Sequence, residues 1–147
     1  MRILIYGAGV IGSLYASLFS EAGIDTTVYA RGRRLESLRQ NGLRYEKNGK
    51  IQTANVRVLD ALAKDDIYDF IFVPVRENQL HEALTQLRDN QSPYIVTMVN
   101  SLEDYCLLQH RWDTIIRTGL LLFMRVQSST YILLLRQKAR CPPCSSD

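Results

Sequence analysis

The chain has 147 residues, 46% hydrophobic and 22% charged, a soluble globular composition at about the length of one domain. That length buries a core but is short for a two-domain enzyme. A formal net charge of +3 is unremarkable by itself, and only three cysteines argue against a disulfide-stapled scaffold.

Met1-Arg2 leads directly into Ile3 to Tyr6, with none of the longer apolar stretch of a secretory signal, so the expected location is cytoplasmic. Ile3 to Tyr6 is a continuous β-rich run, the pattern of a strand buried on both faces in a parallel sheet. Beyond the glycines, Val10, Ile11, Leu14, Tyr15, Leu18, Phe19 and Ala22 recur at helical spacing up to Gly23. Thr26 to Ala30 reads as a second strand, and Arg33 to Gln40 as a short helix closed by Asn41-Gly42. Leu43 to Val58 is expected to form one hairpin, because Lys47-Asn48-Gly49-Lys50 supplies its turn.

Asp69 to Val75, "DFIFVPV", is a third apolar strand in which Pro74 is tolerable only near the end or at an edge. A helix from Asn78 to about Asp89 follows, with Leu80, Ala83, Leu84 and Leu87 on one face, and then a buried strand from Tyr94 to Val99. Strands alternating with helices pair in parallel through right-handed crossovers. The expected fold is therefore α/β, a Rossmann-type, doubly wound and mostly parallel sheet.

Gly7-Ala8-Gly9-Val10-Ile11-Gly12 is G-x-G-x-x-G between a strand and a helix, the context that gives the motif physical meaning. The first glycine permits the tight turn, the second admits a pyrophosphate to the backbone, and the third lets helix and strand pack closely. Amides at the helix start then face the phosphates. At the end of the second strand, where an NAD site places an acid, stand Arg31, Arg33 and Arg34, with no acid before Glu36. A guanidinium matches a phosphate bidentately, so the charge favours NADP(H) over NAD. A solvated basic turn is the alternative, and it fits Arg33 and Arg34 better than Arg31. Arg76 and Asn100 end two further strands and should border the same crevice, although each taken singly reads more readily as a cap or turn residue than as a ligand.

"MRILIYGAGVIGSLYASLFSEAG…VYARGRRLESLRQNGLRY", "FVPVRENQ" and "VTMVNS" together resemble the amino-terminal half of the ketopantoate reductase (2-dehydropantoate 2-reductase) family, over about residues 1 to 105. The resemblance implies NADPH-dependent reduction of 2-dehydropantoate to pantoate, in pantothenate and coenzyme A biosynthesis. It assigns the pyrophosphate to the Gly7–Gly12 loop and the 2′-phosphate to Arg31. Arg76 stands where the family commonly has Lys, a planar fork in place of a compact ammonium. Asn100 stands where the family has an Asn near the nicotinamide and substrate, followed here by Ser101 rather than Gly. The family's proton-donating Lys and substrate-binding acid belong to a helical carboxy-terminal domain, expected to be absent from 147 residues. Lys138 and His81 are poor substitutes, the first in a tail without the family's pattern, the second on a helix's solvated side. The expectation is a cofactor-binding half, weakly active or inactive alone, whose 2-oxo acid substrate requires a second domain. The alternative is a non-catalytic module that senses or binds NADP(H).

Residues 106 to 147 read differently. They carry six Lys/Arg against two Asp/Glu, where residues 1 to 105 carry 12 against 13, and they hold Cys106, Cys141 and Cys144. One reading is an aberrant tail after a frame lost near Tyr105. The other is a divergent last strand pair, Leu120 to Val126 and Tyr131 to Leu135. Gly119 to Leu135 is broken by Arg125, Gln127 and Ser128-Ser129, so no membrane span is expected. Cys141-Pro-Pro-Cys144 has no second pair and reads as a disordered end, not a metal site. The basic tail lacks a nucleic-acid-binding module. Apolar surface left by an absent domain would favour a homodimer.

Overall fold

The computed structural model describes residues 1–99 and the short strand Leu121–Leu122. In chain order the elements are β1 (Arg2–Tyr6), α1 (Val10–Glu21), β2 (Asp25–Tyr29), α2 (Gly32–Asn41), β3 (Leu43–Lys47) and β4 (Lys50–Ala54). They continue with β5 (Arg57–Leu59), β6 (Phe70–Val73), α3 (Glu77–Leu87), β7 (Ile95–Thr97) and β8 (Leu121–Leu122). Six strands form one parallel sheet in the order β5-β2-β1-β6-β7-β8. The chain runs outward from β1 to β5, then crosses back to β6, which makes the β1/β6 boundary the topological switch point.

Apolar residues on both sides of each central strand explain the two layers. In β1, Ile3 and Ile5 pack on the α1 and α2 side with Ala16, Val28 and Leu38. Leu4 and Tyr6 pack on the opposite side with Ile71, Leu80, Leu84 and Leu87. A strand covered on both faces needs this unbroken apolar run, as the sequence of β1 indicates. Pro74 lies just beyond β6, so its missing amide costs the ladder nothing.

One expectation is corrected. The hairpin is β3 and β4 alone, turning at Asn48 (φ 53°) and paired from Leu43↔Ala54 to Lys47↔Lys50. Val58 belongs instead to β5, which pairs in parallel with β2 through Val28↔Val58. Alternation of apolar residues specifies a half-buried strand but not its partner, and the break at Asn55-Val56 is where the chain changes sheets. The apolar spacing leaves the orientation of α1 open. Its sheet-facing side is Gly12, Ala16 and Ser17 with Tyr15 and Phe19 alongside, while Val10, Ile11, Leu14 and Leu18 are exposed. Small residues bring this helix close to the sheet, and its aliphatic stripe faces outward. Of the expected tail strands, Leu121–Leu122 falls within the first and pairs in parallel with β7; the second, Tyr131 to Leu135, lies outside the described residues.

The amino-terminal edge of the sheet is tied by one polar network. Arg2 donates to Asp66 at 3.1 Å and to the Ile67 carbonyl at 2.9 Å, with its guanidinium carbon 4.8 Å from the centre of the Tyr68 ring. The Tyr68 hydroxyl donates to the same Asp66 at 2.5 Å, and its amide donates to Ser92 at 2.9 Å. Asn90 donates to the carbonyls of Ala63 and Asp66, both at 3.1 Å. The connection from β5 to β6 is thus held without regular structure.

Two outcomes follow from this packing. A Cβ at position 12 would lie 1.9 Å from the Gly7 carbonyl oxygen, so Gly12→Ala should cost about 3 kcal/mol or more, read as a lower urea midpoint. Burial, and then the bond to Asp66, push the Tyr68 hydroxyl up to about 12. Between the unfolded value near 10 and the folded one, the unfolded chain has lost a proton that the folded chain keeps, so stability falls as pH rises. Tyr68→Phe should flatten that alkaline decline in denaturation midpoints measured across the same range; an unchanged slope would contradict the assignment.

Candidate functional site

At the carboxyl end of β1 the backbone turns sharply at Gly7, whose φ of +126° is open to few other residues. Its amide donates to the carbonyls of Ile5 and Tyr29 at 3.2 and 3.1 Å, tying the turn to the end of β2. Gly9 is the N-cap of α1, with no side-chain cap and no acid in the first turn. The first amides of a helix have no partner within it, and with the positive end of the helix dipole they favour an anion. A Cβ at Gly9 would meet nothing within 4 Å, so the space before these amides is open to a ligand. The loop therefore leaves these amides facing open space at the end of β1.

Beside it lies a crevice of about 330 Å³ at the switch point, bordered by Gly7, Ala8, Gly9, Arg31, Val75 and Gln79. Its floor includes Tyr6 and Tyr29, stacked with ring centres 4.5 Å apart. Arg31 is the N-cap of α2 and carries its guanidinium carbon 6.0 Å from the centre of the Tyr29 ring. Its Nη1 donates to Glu82 Oε1 at 2.7 Å, with both side chains about half exposed. Each charge favours the other. The shared hydrogen bond holds the Glu82 carboxyl below its ordinary value and raises the Arg31 guanidinium. Gln86 donates to the same Glu82 oxygen at 3.1 Å, and the Tyr6 hydroxyl donates to Gln86. Burial first, and then Tyr29, push the Tyr6 hydroxyl upward.

Arg34 corrects the picture of a solvated basic turn. Its Nε donates to the Ala8 carbonyl and its Nη2 to Ser13 Oγ, both at 2.9 Å. One guanidinium fork from α2 thus spans the glycine loop and the first turn of α1. The spacing R-G-R-R shows a cation after β2 but not which arginine turns back onto the loop.

The structure brings Gly7, Ala8, Gly9 and Arg31 to the crevice itself. Val10 borders the adjoining groove of about 720 Å³ between α1 and β3; Ile11 is exposed on α1 and Gly12 is buried beneath the loop. Arg76 stands at the same rim as the exposed N-cap of α3, where its amide donates to Gln79 Oε1 at 3.4 Å. Asn100, Ser101, Lys138 and the three cysteines lie outside the described residues. His81 is exposed on α3. Among the described residues there is no group of three His, Cys, Asp or Glu side chains able to hold a metal, and no helix long and apolar enough to cross a membrane. Gln79 and Glu82 also reach this region without having been singled out in the sequence. "RENQ" at a helix start is a signal for Gln79; nothing local marks Glu82.

Comparisons with known proteins bear on this geometry. The family model for ketopantoate reductase PanE/ApbA matches residues 3–130. The 2-dehydropantoate 2-reductase of Mesorhizobium japonicum is 35% identical over 107 residues, which are 69% of this chain and 32% of that protein. The chain spans about a third of the length of the curated relatives it matches. Two solved structures share its fold. The ternary structure of D-mandelate dehydrogenase with NADH and anilino(oxo)acetate has a TM-score of 0.71 at 18% identity, covering 85% of this chain and 40% of that one. The PanE/ApbA family ketopantoate reductase from Ralstonia eutropha has a TM-score of 0.70 at 18% identity, covering 90% and 43%.

Arg34→Met removes both clasping hydrogen bonds while keeping an aliphatic stem. On this exposed side chain the loss of stability should be about 1 kcal/mol, with faster amide hydrogen exchange confined to residues 7–13. Unchanged exchange there would show that the clasp does not order the loop.

Proposed function

This chain belongs to the ketopantoate reductase family, and from that premise we propose that it binds NADP(H) as the cofactor half of a 2-dehydropantoate 2-reductase. The observation that carries the reading is the crevice at the β1/β6 switch point, where the glycine loop and Arg31 meet. In this reading residues 1 to 105 are the dinucleotide-binding domain. Residues 106 to 147 are either an aberrant tail or its last strands; the pairing of β8 with β7 favours the second for the stretch around Leu121.

The residues fit the group. The Gly7–Gly12 turn and the open amides of α1 would hold the pyrophosphate, with Ala8, Val10 and Ile11 supplying backbone between the glycines. Arg31 would hold the 2′-phosphate, Arg34 keeps the loop in shape, and Arg76 adds positive charge at the rim. Asn100 is proposed to position the nicotinamide and substrate. The NADH complex of D-mandelate dehydrogenase, which shares the fold, supports reading this crevice as a dinucleotide site.

When bound, the reduced nicotinamide supplies a hydride to the carbonyl carbon of a 2-oxo acid. The oxygen then needs a proton, normally from a fixed general acid. The reading assigns that donor and the substrate pocket to the part of the relatives' length that this chain does not span. Turnover by the 147-residue chain alone is accordingly expected to be very weak or absent, and its setting cytoplasmic.

Calorimetric titration with NADPH and NADH tests this directly. NADPH should bind more tightly, and Arg31→Ala should abolish the preference by weakening NADPH about tenfold or more, the scale of a charge-assisted hydrogen bond. Equal binding of both, or of neither, would refute the assignment. Substantial NADPH oxidation on adding 2-dehydropantoate to the isolated chain would instead place the proton donor within it.

A further inference from the structure

The sequence has a cation and no acid at the end of β2, yet the fold delivers an acid to that cation. Glu82 comes from α3, 51 residues along the chain, and accepts from Arg31 at 2.7 Å. Gln86 also donates to the same carboxylate oxygen, and Gln86 is itself held by the Tyr6 hydroxyl from the floor of the crevice. The acid therefore has a defined place, fixed from α3 on one side and by Arg31 on the other.

The two dinucleotides make opposite demands there. A 2′-phosphate takes a guanidinium through paired N–H···O bonds. The Nη1 N–H that Arg31 gives to Glu82 is not free for the paired contact, and a phosphate brought to that guanidinium meets a carboxylate of its own sign. An unphosphorylated ribose instead has hydroxyls that donate to a carboxylate. Resting on the reading of this crevice as the dinucleotide site, we propose that Glu82 is a specificity-determining residue. It competes with the 2′-phosphate for Arg31 and offers an acceptor to a free ribose, so it narrows the preference for NADP(H) over NAD(H).

The test is Glu82→Gln in the full chain, titrated calorimetrically with NADPH and with NADH beside the wild type and Arg31→Ala. The amide keeps the size of the side chain and an acceptor oxygen for Gln86, at an exposed helix position where the fold does not depend on it. NADPH should bind about two- to fivefold more tightly, the scale of an exposed ion pair. NADH should be unchanged or weaker, so the ratio of the two dissociation constants moves further toward NADPH. Glu82→Ala should move the ratio the same way. In a wild type that prefers NADPH through Arg31, an unchanged or reversed ratio overturns the role of Glu82 and leaves the site assignment standing. A wild type that binds neither dinucleotide, or keeps its preference in Arg31→Ala, overturns the assignment and this role with it.

Discussion

The close approach of α1 to the end of β1 is the constraint on which the rest of the molecule depends. Gly12 lies directly against the Gly7 carbonyl and against Pro74, so that no side chain fits between them. That contact fixes where the helix begins, and hence where its open amides point. It also sets the helix low enough on the sheet for Ala16 and Ser17 to be buried. Dispersion forces reward such packing only when the surfaces meet without gaps. A larger residue at Gly12 would lift the helix and move its open amides together with the core.

The polar groups at the two ends of the sheet are arranged differently. At the amino-terminal edge, Arg2, Asp66, Tyr68, Asn90 and Ser92 satisfy one another and fasten the irregular connection from β5 to β6. At the carboxyl edge Arg31 and Arg34 border a crevice from the start of α2, and Glu82 of α3 pairs with Arg31. Rossmann-type folds place ligands at that edge because the loops there diverge at the switch point. The charge pattern at this edge is therefore a property of α2 and α3 meeting, not of any single turn.

The outer stripe of α1 shows how the same apolar periodicity can serve two surfaces. Val10, Leu14 and Leu18 repeat at helical spacing, yet they border a groove with Tyr45 of β3 and leave the sheet to Ala16, Ser17 and the aromatic Phe19. Val10 is 87% exposed. The hydrophobic effect favours burying such a stripe but does not say against what. Lys47 and Glu21, paired at 2.7 Å, stand at its margin.

The sequence by itself determined the alternation of strands and helices, the parallel sheet, the glycine turn and the presence of a cation after β2. These are local: a buried parallel strand needs a continuous apolar run, and a sharp turn against a helix start needs glycine. It also placed the β3–β4 turn at Asn48-Gly49. Only the tertiary structure decided that Val58 leaves the hairpin for β2, that α1 turns its small residues inward, and that Arg34 clasps the loop. It alone put Glu82 beside Arg31, since an ion pair 51 residues apart leaves no periodic trace in the chain. Partner choice depends on which surfaces the backbone brings within a few ångströms, and that is settled by the packing of the whole domain.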